Sequence, residues 1–177
     1  MSSEILNATS SRIHEVVASF GMTTRPGEPF YRDESGQIIL FRAEQEQQGR
    51  LHVSRGDEAL YGPGAYGTNT PKAAAHYVYQ GEPQGVGIGM YRLPEVPDEL
   101  VGTRMTRLAV DRGSESLVFF PMPALSRVMI RGIYADVESG GLPPRWALVR
   151  EKTGMDLIEG AKKVAWLGSR CIGTPRR

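Results

Sequence analysis

A single cysteine, Cys171, in a chain of 177 residues excludes an internal disulfide framework. The three histidines, His14, His52 and His76, do not combine with it at metal-ligand spacing, so no metal is expected. No apolar run approaches the roughly 20 residues that a membrane-crossing helix needs, and no membrane partner is expected. The first twenty residues mix polar side chains throughout and lack the apolar stretch of a secretory signal peptide. Dense basic runs with interleaved aromatics are also missing, which ranks nucleic acid below protein as a partner.

What is present is ordinary globular material. Hydrophobic residues make up 40% and charged residues 23% of the chain, enough for one domain with a real core. The net charge of +1 is divided unevenly. Residues 1–99 hold 8 Lys/Arg against 13 Asp/Glu, a net of −5, and residues 100–177 hold 13 against 7, a net of +6. Two differently solvated faces of one domain explain that division, and a basic surface for an anionic partner is the sharper alternative.

The periodicity places an amphipathic helix at 11–20, where Ile13, Val16, Val17 and Phe20 share a face before Gly21. Gln37 to Ala43 reads as a strand, with a short second strand at Leu51–Val53. Thr70 to Tyr79 reads as a helix with Thr70 as cap and Pro71 in its first position. Strands are expected over 86–93, 100–110, 115–120 and 125–137. The segment 145–168 reads as helical, capped by Thr153, with Leu157, Ile158, Ala161, Val164 and Ala165 as its apolar stripe. Short strands with helices towards the ends predict an α+β domain over 1–177, with its core at about 37–137.

The most informative stretch is Gly62-Pro63-Gly64-Ala65-Tyr66-Gly67-Thr68, followed by the helix bearing Ala74-Ala75-His76-Tyr77. Glycine lets a ligand approach the backbone. Two aromatic rings converging from a turn and a helix can sandwich a flat heterocycle. Upstream, Arg42 ends the strand Ile38-Ile39-Leu40-Phe41; downstream, Glu115 opens Glu115-Ser116-Leu117-Val118-Phe119-Phe120.

Taken in that order, these segments resemble the NAD-binding core of the ADP-ribosyltransferase superfamily, and the tyrosine pair looks most like the diphtheria-toxin and poly(ADP-ribose) polymerase branch. The chain departs from that branch in having Arg42-Ala43 where the branch has His-Gly. It also lacks the Ser-Thr-Ser strand of the arginine–serine–glutamate branch, and has Gly113 two residues before Glu115. The resemblance implies a split β-sheet core with peripheral helices and NAD as co-substrate. It implies that Arg42, Ala43, Gly64, Tyr66, Thr68 and Tyr77 hold NAD, with Glu115, Arg42 and Tyr66 as the catalytic set. Glu138 stays open as a rival carboxylate.

The chemistry would be cleavage of the nicotinamide–ribose bond, with a carboxylate stabilising the oxocarbenium ion that develops. The implied activity is mono-ADP-ribosyl transfer to a macromolecular acceptor, a protein before a nucleic acid. The alternatives are NAD hydrolysis or an inactive binding module on the same fold. A bacterial effector or toxin would suit this size. It would be cytoplasmic, or secreted without a cleavable signal to act in a target cell's cytoplasm.

Overall fold

The computed structural model describes residues 13, 15–78, 86–103, 110, 113–122 and 141–168; within the helix at 71–78, the side chains of 76–78 are outside that description. Four consecutive apolar residues, Ile38 to Phe41, demand burial on both faces of one strand, and they begin β3 (Ile38–Gln45) at the centre of the sheet. Alternation sends Ile39 and Phe41 into one core and Ile38 and Leu40 into the other. All four are essentially inaccessible to water. Each contributes about 1.5–3 kcal/mol by leaving it.

The short strands β1 (Thr23–Thr24) and β2 (Tyr31–Arg32) precede β3. After it come β4 (Gly64–Thr68), β5 (Val86–Arg92), β6 (Val101–Gly102) and β7 (Leu117–Pro121). The last two strands are β8 (Arg145–Arg150) and β9 (Lys162–Gly168). Among the described residues they form one branched nine-stranded sheet, ordered β1-β2-β3-β4-β8-β7-β6, with β5 attached to β3 and β9 to β5. The expected α+β class holds.

The branch point sits in β3. One edge pairs with β5 from Ile39↔Arg92 through Gln45↔Val86. The other edge serves β2 at Ile38 and Ile39 and then β4 only at Phe41↔Thr68. Beyond Phe41 the strands β3 and β4 part, and β4 continues with β8 from Thr68↔Trp146 to Gly64↔Arg150.

Helix α1 (Pro71–Val78) follows β4 directly. The Thr70 hydroxyl accepts the Ala73 N–H at 3.0 Å, so Thr70 caps the helix as expected and Pro71 occupies its first turn. Ala73, Ala74 and Ala75 are fully buried. Their small side chains let the helix lie close against β3 and β5. Residues 15–19 are helical too, and Ile13 and Val17 complete the same core.

The C-terminal segment 145–168 corrects the helical expectation. It is strand β8, helix α2 (Glu151–Gly160) and strand β9. Ala147 and Val149 face one core and Leu148 the opposite face, a period of two rather than of a helix. Helix α2 starts at Glu151, and Thr153 does not cap it. Thr153 immediately precedes Gly154, whose backbone leaves helical geometry at φ −126 and ψ 22. Leu51–Val53 is not a strand either; only a single bridge, Ser54↔Gly64, forms nearby. Of the expected strand at 100–110 only β6 appears among the described residues, and the expected strand at 125–137 lies outside them.

Candidate functional site

Where β3 and β4 part, a cavity of about 440 Å³ opens, walled by Arg42, Ala43, Glu44, Tyr66, Thr68 and Trp146 among others. Arg42 fills the gap left by the missing ladder. Its Nη1 donates to the Tyr66 carbonyl at 2.9 Å and to the His52 carbonyl at 3.3 Å. A guanidinium has five N–H donors in a fixed fork, so it can satisfy backbone on one side and still face a cleft. Burial is the main cause that lowers the Arg42 pKa, opposed by the charge of Glu44. Arginine nevertheless remains a cation at neutral pH.

Glu44 was not foreseen as part of the site. It stands two residues beyond Arg42 on the same face of β3, with its side chain only 5% exposed. Its Oε1 lies 3.6 Å from Arg42 Nε. Its Oε2 accepts the Tyr91 hydroxyl at 2.6 Å and lies 2.8 Å from Lys163 Nζ on β9. Lys163 also donates to the carbonyls of Glu46 at 2.9 Å and Gln48 at 2.7 Å, which ties down the loop after β3. Burial, followed by the hydrogen bond and the charge of Glu44, pushes the Tyr91 phenol well up, so it stays a donor. Gly87 and Gly89 lie opposite Glu44 and Arg42 in the register. A Cβ at Gly89 would come 2.8 Å from the Glu44 carboxyl carbon, so glycine makes the room for this charge. The Val86-Gly87-Ile88-Gly89-Met90 alternation was the available sequence signal.

Tyr66 lies in the middle of β4, not at the end of a turn. Its hydroxyl donates to the Gly62 carbonyl at 2.6 Å and accepts the Tyr61 N–H at 3.0 Å. Its ring meets Trp146 edge to face, with centroids 6.4 Å apart at 87°. Trp146, on the strand misread as helix, is therefore the aromatic partner seen at the cavity. Tyr77 belongs to α1, and its side chain lies outside the described residues, as does Glu138. The Thr68 hydroxyl donates to the Thr70 carbonyl at 2.8 Å while bordering the cavity.

Two expected residues lie elsewhere. Gly64 is in β4 but does not line the cavity; a Cβ there would come 2.2 Å from the Val149 carbonyl, so its smallness serves strand packing. Glu115 precedes β7 and also does not line the cavity. From β3 to β7 the order runs through β4 and β8, three strand spacings of about 4.8 Å each. Glu115 instead borders Gly102, where a Cβ would come 3.2 Å from its Cγ. Its neighbours Gly113 and Ser114 help wall a second cavity of about 520 Å³, together with Tyr61, Arg150, Glu151 and Thr153. The Glu151 carboxylate oxygens each accept from Arg55 Nε, which is not on that wall, at 3.0 Å.

The β3–β4 cavity thus offers an aromatic wall, a buried cation and a buried carboxylate in one space of ordinary ligand size. Among the described residues no three His, Cys, Asp or Glu side chains gather as metal ligands would, and no helix is long and apolar enough to cross a membrane. Comparison with family models, curated proteins and solved structures found no match.

Proposed function

We propose that this chain is an NAD-consuming enzyme of the ADP-ribosyltransferase kind, passing ADP-ribose to a macromolecular acceptor. One observation carries the reading. Arg42, Ala43, Tyr66 and Thr68, four of the six residues that the resemblance assigns to NAD, wall a single cavity where the central sheet parts. In that reading the nicotinamide lies against Tyr66 and Trp146, and Arg42 meets a phosphate or ribose hydroxyl by charge-assisted hydrogen bonds. The bond between ribose C1 and the nicotinamide nitrogen breaks with its electron pair going to nicotinamide. The acceptor's nucleophile then bonds C1 and loses its proton. A protein acceptor suits a sequence without a dense basic run interleaved with aromatics, and an effector or toxin is the kind of protein this reading fits.

The position of Glu115 favours a second reading, an inactive module of the same kind that binds NAD without cleaving it. Nicotinamide release from NAD separates the two. In the enzymatic reading the wild-type chain releases nicotinamide, and Glu115→Ala lowers turnover by about 100-fold or more. Binding of NAD with no release by the wild type establishes the module. Labelled NAD in a cell lysate then divides transfer from hydrolysis: label on a macromolecule marks the first, and free ADP-ribose alone marks the second.

A further inference from the structure

We propose that Lys163, on the distant strand β9, and Glu44 together set the charge of the β3–β4 cavity, and so its preference for the anionic part of a ligand. The proposal rests on the cavity being the ligand site, and it deepens the reading above by naming what tunes Arg42.

Arg42 carries the only cationic side chain of Lys or Arg type on the cavity wall among the described residues. A lone buried Arg–Glu pair would be neutral, and its guanidinium would be committed to its own carboxylate. Here the carboxylate is shared. Lys163 and the Tyr91 hydroxyl both hold Oε2, at 2.8 and 2.6 Å, while Arg42 Nε stands 3.6 Å from Oε1, beyond hydrogen-bond distance. Lys163 is itself fixed by the Glu46 and Gln48 carbonyls, with its side chain only 13% exposed, so it cannot swing away from Glu44.

The buried trio of Arg42, Lys163 and Glu44 then sums to one net positive charge. Lys163 takes up the negative charge from behind, and the uncompensated positive charge faces the cavity through Arg42. The Nη1 hydrogens of Arg42 go to Tyr66 and His52, and among the described residues no hydrogen bond engages Nη2. His52 also lines the cavity, 3.9 Å from Glu58, with side chains 55% and 75% exposed. Water screens that pair far more than the buried trio.

The ligand class that follows is a phosphate or pyrophosphate ester, held by the free edge of the guanidinium. Two substitutions should move its affinity in opposite directions. Lys163→Met makes the trio neutral and lets Glu44 turn fully onto Arg42. Glu44→Gln keeps the shape and an acceptor for Lys163 and Tyr91 while raising the net charge by one.

The test is equilibrium binding of ADP-ribose, inorganic pyrophosphate and uncharged nicotinamide to the full chain. Lys163→Met is expected to weaken ADP-ribose and pyrophosphate about tenfold, and Glu44→Gln to tighten both several-fold, with nicotinamide within twofold throughout. Lys163→Arg, which keeps the charge, should retain most of the affinity. A loss for Glu44→Gln, or an equal loss of nicotinamide and ADP-ribose in Lys163→Met, would overturn the proposal, because damage to folding weakens every ligand alike. Absence of ADP-ribose and pyrophosphate binding in the wild type overturns it outright. If pyrophosphate binds with the expected pattern but NAD is never cleaved, the enzymatic reading falls and this one stands.

Discussion

Two clefts of similar size share the same sheet, and each has on its wall a carboxylate that an arginine pairs with in a different setting. Between β3 and β4, Arg42 and Glu44 have side chains 17% and 5% exposed. Beside α2, Arg55 and Glu151 have side chains 64% and 22% exposed. The sequence order Arg42, Tyr66, Glu115 suggests one site, but the sheet sends its last member towards the second cleft. Chemistry in the first cleft therefore depends on buried charge and backbone carbonyls, whereas the second offers a solvated pair beside the start of a helix.

The largest difference should appear when the arginines are removed. Arg42→Ala leaves Glu44 buried with Lys163 and the Tyr91 hydroxyl, both on Oε2, and frees the Tyr66 and His52 carbonyls. Breaking a buried pair costs about 3–5 kcal/mol, and a urea midpoint well below that of the wild type is the expected result. NAD affinity should fall with it. A stable Arg42→Ala chain with unchanged NAD binding would remove the first cleft from the argument.

Glycine substitutions sharpen the same contrast next. Gly64→Ala forces a methyl to 2.2 Å from the Val149 carbonyl at the join of β4 and β8. Main chain has to shift there, and a loss of about 3 kcal/mol in urea unfolding is expected. Gly49→Ala meets nothing within 4 Å and should stay within about 0.5 kcal/mol of the wild type. If Gly64→Ala also weakened NAD while leaving stability intact, Gly64 would return to the ligand site from which its packing now removes it.

These outcomes follow from features that were unevenly legible in the sequence. The apolar run Ile38–Phe41 announced a strand, and Thr70-Pro71 announced the start of a helix, because both signals are local. The segment 145–168 was misread because Leu157, Ile158, Ala161, Val164 and Ala165 can be drawn as a helical stripe. In the fold Val164 is 41% exposed, and what decides its state is pairing of β9 with β5, which lies far off in sequence. Glu44 was missed for the same reason. Its partners Tyr91 and Lys163 lie on β5 and β9, and a charged residue inside a strand carries no local mark of burial. Arg42 and Tyr66 were singled out by the order of local motifs, and both wall the β3–β4 cavity. Trp146, the ring partner of Tyr66, was not, because it reaches Tyr66 only through the β4–β8 ladder.

A smaller effect isolates the hydroxyl of Tyr66. Tyr66→Phe keeps the ring against Trp146 and deletes the bonds to Gly62 and Tyr61. A loss of about 1 kcal/mol is expected, with nicotinamide affinity unchanged because stacking depends on the ring. A fall in nicotinamide affinity would show that the hydroxyl acts on the ligand and not only on the 61–66 connection.

The smallest effect belongs to the exposed pair and shows best as a pH dependence. The hydrogen bond from Arg55, and then its charge, lowers the Glu151 carboxyl below its ordinary value of 4.5. A carboxyl lowered on folding contributes stability that is present above that ordinary value and is lost as pH falls through the folded value. Glu28, held by Arg32, and Asp33 are lowered as well, so unfolding followed from pH 7 down to pH 3 should show a loss below about pH 4.5 that Arg55→Ala weakly reduces, and added salt should shrink that difference. Arg42→Ala should leave this acid-side slope in place, because its partner Glu44 belongs to the other cleft. If Arg55→Ala left the slope unchanged and Arg42→Ala reduced it, the exposed pair would not be the source of this part of the acid-side loss.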